Sequence, residues 1–261
     1  MKTRKMSVWK MLSGMALVFV VLLTGYASAS AKDLASVGLS VEAPAARQAA
    51  QVRTATDAVS DEPVTLPDTV VRVFRSKITG QKYRIYVSLP MGYSAEAAGP
   101  EGYPVVYLVD GNWHFPTTTG IARFLRPSGE LPDMIIVGIG YPTDDNAELE
   151  ILRQTDLLPG VGADPFLGFI QEELMPYIDA NYLTNPQDRT LAGHSYGGLF
   201  TLYALFTATD AFQRYVALSP ALFYHPDWNG ERLIFDLEQE YAAQNDALPV
   251  ELFLSVGETE L

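Results

Sequence analysis

The residue in this sequence best equipped for covalent chemistry is Ser195, in the pentapeptide Gly193-His194-Ser195-Tyr196-Gly197. A serine hydroxyl becomes a nucleophile when a base takes its proton and backbone amides receive the negative charge that develops on the substrate. Gly-x-Ser-x-Gly between a strand and a helix is the pattern of a nucleophile elbow. The serine sits in a strained turn, and neighbouring side chains would crowd it, so Gly193 and Gly197 relieve the crowding. The helix that follows aims its amides and the positive end of its dipole at the same place. The plainer reading is a glycine-rich turn with a bystander serine. One oxyanion amide in this arrangement comes from the residue after the nucleophile, here Tyr196. The other comes from the loop after the third strand, where Gly111 or Asn112 of Asp110-Gly111-Asn112 would supply it; its plainer reading is a β-turn.

The base is harder to find. The chain has three histidines, His114, His194 and His225. His194 adjoins Ser195 in a tight turn, where neighbouring side chains diverge, and reads as a packed support. His114 lies near the oxyanion loop and is a candidate substrate contact, as is its neighbour Trp113. Trp113, Phe115, Phe223, Tyr224 and Trp228 are candidates for an aromatic pocket, some of them for the core. Arg153 and Asp156 read as an exposed ion pair bordering the cleft, with Arg153 a candidate substrate contact. The oxygens of Tyr141–Asn146 lack the spacing of a calcium loop and read as solvated. No phosphate-binding loop or histidine-rich metal motif occurs, so no cofactor or metal is expected.

These residues need a scaffold that gathers strand ends. Thr69–Ser76 and Tyr83–Leu89 alternate around a Thr79-Gly80 turn and predict an antiparallel hairpin. Pro104–Val109, Met134–Gly140, Tyr215–Leu218 and Val250–Val256 read as strands, as does the run before Ser195, and the more continuous apolar runs suggest burial on both faces. Helices are predicted over Thr117–Phe124, from Asp164-Pro165 as N-cap and first residue, after Ser195, and over Leu233–Ala243; Tyr141–Val161 is expected as a long polar loop with a short helix at best. Strands alternating with helices predict an α/β fold, a doubly wound, mainly parallel sheet with an antiparallel N-terminal hairpin. Ligand sites in such sheets lie beyond the carboxyl ends of parallel strands.

The first residues do not belong to that scaffold. Lys2, Arg4, Lys5 and Lys10 precede the apolar run Met15–Leu23 and the small residues Ala27–Ala31. That is the pattern of a secretory signal peptide, and the run is short for a membrane span. The expected organisation is a signal peptide over 1–31, a disordered linker over 32–63 and one catalytic domain over 64–261, in a periplasmic or secreted protein. The net charge of −13 becomes more negative once the leader's four basic residues are gone, leaving 14 basic against 31 acidic. This argues against nucleic acid and against anionic membrane surfaces as partners. The chain has no cysteine, so it needs no disulfides and carries no cysteine-linked lipid.

A resemblance covers most of the domain. Ser76-Lys77-Ile78-Thr79-Gly80-Gln81-Lys82-Tyr83-Arg84-Ile85, Leu89-Pro90-Met91-Gly92-Tyr93, Tyr103 to Asn112, Arg153 to Pro159, Ala192 to Leu199, Ser219-Pro220 and Leu254 to Glu260 together resemble the esterase branch of the α/β-hydrolase superfamily. That branch holds trilactone siderophore esterases, enterochelin esterases and S-formylglutathione hydrolases. The resemblance implies Ser195 as nucleophile, amides near Asn112 and Tyr196 as oxyanion hole, and an acid at Glu258 or Glu260. It implies a small-molecule ester, siderophore esters included, as substrate. It also implies one more strand, a histidine and a helix after the acid. The expectation is therefore a domain incomplete at its C-terminus, with the final strand and helix missing and Val250–Val256 left as an apolar, aggregation-prone edge. The family order puts His225 on the wrong side of the acid for a triad base. Two further readings stay open at this point: a non-catalytic binding protein or inactive fragment on a hydrolase scaffold, and an acyltransferase.

Overall fold

The computed structural model describes residues 63–224 and 233–258. The expected signal peptide and nearly all of the expected linker lie outside the described residues, as do His225, Trp228 and Glu260. The described strands form one seven-stranded sheet. They are β1 (Thr69–Arg75), β2 (Lys82–Ser88), β3 (Tyr103–Leu108), β4 (Ile135–Gly140), β5 (Thr184–His194), β6 (Arg214–Leu218) and β7 (Glu251–Ser255), in the spatial order β1-β2-β4-β3-β5-β6-β7. β1–β2 and β2–β4 pair antiparallel. The β4–β3, β3–β5, β5–β6 and β6–β7 pairs are parallel. The predicted hairpin on a mainly parallel sheet is what the chain forms.

Every parallel crossover carries a helix. These are α2 (Gly111–Leu125), the run α3 (Asn146–Leu157), α4 (Ala163–Gly168) and α5 (Met175–Asn181), then α6 (Tyr196–Thr207) and α7 (Leu233–Gln244); the short α1 (Ala95–Ala98) precedes β3. α4 and α5 are joined without a break by a π-helical turn, Phe169–Leu174. β4 is buried at all six positions, which is why it reads as a continuous apolar run. The larger core gathers Tyr83, Tyr107, Phe166, Phe169, Phe200 and Phe212 with the aliphatic residues of β2–β5, and a smaller one holds Val106, Leu108, Ala192, Val216 and Leu218 on the other face. Tyr83 stacks on Phe169 with centroids 4.3 Å apart. Among the described strands β7 lies at one end of the order, and Leu252 and Leu254 on it are exposed.

Three local expectations are corrected. α2 begins at Gly111, six residues before the predicted start, because Pro116 lies inside the helix instead of marking its boundary. Asp164 is not an N-cap. Gly162 takes that position, and the Asp164 carboxylate accepts the Tyr203 hydroxyl. The expected loop after β4 contains the twelve-residue helix α3, capped by Asp145, whose Oδ1 accepts from Ala147 N at 2.8 Å and Glu148 N at 3.3 Å. Its buried face carries Leu149 and Leu157 but also Arg153 and Asp156. Charge at those positions hides the apolar period.

Asp156 is only 3% exposed. Burial pushes its carboxyl up to about 6, and the Tyr83 and Tyr141 hydroxyls beside it offset part of that rise. Gln81 Nε2 also donates to Oδ1 at 3.3 Å. A carboxyl raised on folding binds its proton more tightly in the native state. Its stabilising effect is therefore full below the unfolded value near 4 and is lost as pH rises through about 6. Asp156→Asn is expected to stabilise the protein at pH 7.5 by about 1–3 kcal/mol and to leave it nearly unchanged at pH 4. Urea unfolding at the two pH values checks this; equal stability at both counts against it.

Candidate active site

Ser195 directly follows β5 and precedes α6, with φ 57° and ψ −116°, a conformation that non-glycine residues rarely hold. The surroundings fix it. Ser195 N donates to Leu218 O at 3.0 Å on β6, and Ser195 O accepts from Leu199 N at 2.9 Å and Ala221 N at 3.2 Å. The two glycines are required by space. A Cβ on Gly193 would lie 2.3 Å from the Gly197 carbonyl oxygen, and one on Gly197 would lie 2.7 Å from Val109 Cγ2. α6 then runs from Tyr196 through an almost wholly apolar sequence, with Gly197 to Leu205 buried, so the helix is locked against β5 and β6. Thr201, fully buried, returns its hydroxyl to Gly197 O at 2.8 Å.

The second chain segment arrives from the neighbouring strand. Leu108 stands opposite Ala192 in the parallel β3–β5 register, and Val109 N donates to Ala192 O at 3.1 Å. Asp110 follows in a left-handed conformation, φ 55°, and turns the chain into α2. Gly111 and Asn112 were expected in a loop; they are instead the first two residues of that helix. Trp113 N and His114 N reach Asp110 O at 3.0 and 3.1 Å. The amides of Gly111 and Asn112 have no acceptor within a helix at these positions, and neither has Tyr196 N at the start of α6. Two helix N-termini thus begin at the ends of adjacent strands, beside the serine.

The Asn112 side chain is fully engaged elsewhere. Its Oδ1 accepts Tyr141 N at 2.6 Å, and its Nδ2 donates to Tyr141 O at 2.9 Å and Thr143 O at 3.2 Å. Only its backbone amide remains for an oxyanion, and the side chain ties the start of α2 to the end of β4. The other polar atoms after β4 are also in use. Asp144 pairs with Arg84 at 2.7 Å, Asp145 caps α3, and Asn146 Oδ1 accepts Trp113 Nε1 at 3.4 Å. Among the described residues, no group of three or more His, Asp or Glu is placed to hold a metal ion. No described helix is long and apolar enough to cross a membrane.

Arg153 and Asp156 do not form the expected ion pair. Arg153 is buried, and its guanidinium binds Asp110 side-on, Nε to Oδ1 at 2.9 Å and Nη2 to Oδ2 at 2.8 Å, with Nη1 reaching Glu150 at 3.3 Å. Burial opposes its charge, but the bonds to Asp110 and Glu150 outweigh this and hold it above its ordinary range. Its Cζ lies 5.4 Å from the Trp113 ring centroid and 5.2 Å from that of Tyr196. Asp110 is the residue that sequence reading missed, because its partner lies 43 positions away with no pattern linking the two.

The remaining candidates divide. Phe115 belongs to the core and stacks on Tyr86, and Tyr224 is buried, with its ring 6.4 Å from that of Tyr196; Phe223 is exposed. The His114 and His194 rings meet edge to face at 5.9 Å. Burial lowers the pKa of His114, with Asp110 opposing and Arg153 adding to the shift. Glu258 is exposed just beyond β7, two strands from β5 on the same edge of the sheet as Ser195.

Residues 76–260 match the family model Esterase, described as "Putative esterase". The ferri-bacillibactin esterase BesA of Bacillus subtilis is 33% identical over 217 residues, covering 75% of this chain and 72% of that protein. The siderophore triacetylfusarinine C esterase of Aspergillus fumigatus is 36% identical over 173 residues, covering 62% of this chain and 59% of that one. The crystal structure of the BES protein from Bacillus cereus superposes with a TM-score of 0.68 at 30% identity, covering 78% of this chain and 79% of that one.

Proposed function

This chain belongs to the esterase family of α/β-hydrolases and is a carboxylic-ester hydrolase by that membership, and we propose that it is an exported enzyme that uses Ser195 to open siderophore esters. The observation that carries the proposal is the backbone of Ser195, held at positive φ on the tip of β5 between two glycines that admit no side chain. The relatives named for bacillibactin and triacetylfusarinine C support the substrate class. The basic and apolar run before Ala31 supports export.

In the proposed reaction, Ser195 Oγ attacks the ester carbonyl carbon and gives up its proton to a base. The carbonyl oxygen becomes an oxyanion beside the amides of Tyr196 and of Asn112 or Gly111. The C–O bond to the alcohol breaks, the base returns its proton to the leaving alkoxide, and water then releases the acid from Ser195. In the family order the acid and then the histidine base follow the serine, which assigns Glu258 or Glu260 to orienting that histidine.

Incubating the protein with an iron-loaded trilactone siderophore and, separately, with p-nitrophenyl acetate tests the substrate class by chromatography and absorbance. The expected result is Ser195-dependent cleavage of both, with the higher kcat/KM on the trilactone. Cleavage of the acetate alone overturns the siderophore assignment, and rates unchanged in Ser195→Ala overturn the nucleophile. A mature N-terminus at residue 30 or 32 in envelope-derived protein is the result expected for export.

A further inference from the structure

We propose that Arg153 is a positioning residue that clamps the two halves of the oxyanion hole to each other through Asp110, Trp113 and Tyr196. The inference rests on the reading that Ser195 works with the amides of Asn112 or Gly111 and of Tyr196. Those amides belong to two different segments, the start of α2 and the start of α6, which are far apart in the chain. One guanidinium touches both. Its two bonds to Asp110, at 2.9 and 2.8 Å, hold the left-handed residue from which α2 departs. Its Cζ lies 5.4 Å from the ring of Trp113, the residue after Asn112, and 5.2 Å from the ring of Tyr196 itself. The Nη1 bond to Glu150 fixes the third side of the group within α3.

The chemistry of the side chain suits a clamp. A guanidinium is planar and binds a carboxylate with two parallel bonds while its faces rest on aromatic rings; an ammonium does neither as well. Arg153 is 6% exposed and Asp110 4%, so water competes little for either. Trp113 is also tied to α3 by its bond to Asn146 at 3.4 Å. α3 therefore reaches both helix starts from one side. The distance that matters for catalysis, from one oxyanion amide to the other, depends on a residue that need not touch the substrate.

Arg153→Met and Arg153→Lys test this, together with Asp110→Asn/Arg153→Met, which removes both buried charges at once in case the single variant fails to fold. Two readouts are taken on the full chain. Amide exchange by mass spectrometry over peptides spanning 111–117 and 195–200 is expected to quicken in both peptides by about tenfold. With p-nitrophenyl acetate, kcat is expected to fall about 10²-fold, the scale set by a 1 Å misplacement, while KM stays within about twofold. Arg153→Lys should fail to restore kcat. Unchanged exchange in both peptides overturns the clamp. So does a raised KM at unchanged kcat, which marks a residue that binds substrate. If the unmodified protein proves inactive, the hydrolase reading falls, while the exchange measurement still decides whether Arg153 holds the two turns together.

Discussion

Ser195→Ala is expected to lower ester turnover by roughly 10⁴- to 10⁶-fold, the range seen when the nucleophile of a serine hydrolase is removed. Labelling by a fluorophosphonate probe should disappear with it. Folding should be almost unaffected, since alanine is as strained at this backbone conformation as serine. Ser195→Gly separates strain from chemistry. Glycine accepts φ 57°, ψ −116° without steric cost, so this variant should also be inactive yet more stable than the native protein by about 1–2 kcal/mol. Steady-state rates and urea unfolding of the three proteins make the comparison. Residual turnover within tenfold of the native rate in both variants removes Ser195 as nucleophile. A glycine variant no more stable than the alanine variant removes the strain.

Gly193→Ala is the second large effect. The added Cβ would meet the Gly197 carbonyl oxygen at 2.3 Å and its carbon at 2.4 Å. Both are backbone atoms inside a turn held at both ends, so no rotamer change relieves the clash. The elbow must open, which is expected to cost about 3 kcal/mol of stability and about 10²-fold or more in kcat through displacement of Ser195. Gly120→Ala supplies the matched control. That glycine lies in α2 with nothing within 4 Å of its missing Cβ, and the change should raise stability by up to about 1 kcal/mol. Thermal unfolding and kcat measured on both variants decide the matter. A Gly193→Ala protein as stable and active as Gly120→Ala would falsify the packing argument.

The elbow was readable because its requirements are local. Two glycines, an apolar strand before and an apolar helix after all fall within about a dozen residues, and each follows from backbone sterics. β3 and β4 were readable for a similar reason, since strands buried on both faces leave continuous apolar runs. The start of α2 was hidden by Pro116, a residue that usually closes a helix rather than sitting inside one. α3 was hidden more deeply. Its buried face holds Arg153 and Asp156, so the stretch looks polar on every side. What makes these positions tolerable is Asp110 for the arginine, and Gln81, Tyr83 and Tyr141 for the aspartate. Those partners come from β2, from before β2 and from the ends of β3 and β4. No spacing rule within one element reports a pairing made between elements. The same holds for the Asn112 side chain, which is committed to Tyr141 and Thr143.

The hydrogen bonds around Ser195 also set an order of loss. Ser195 leans on Leu218 and Ala221, and between them Ser219 N is held by Ser255 O at 2.7 Å on β7. Among the described strands β7 pairs with β6 alone, and an element with few partners opens at lower free energy than the interior. When β7 frays, Ser219 is released, then the loop that carries Ala221, and the elbow loses a support of its strained turn. Warming the protein should therefore silence the enzyme some degrees before its ellipticity changes, and cooling should return the activity without any refolding of the interior.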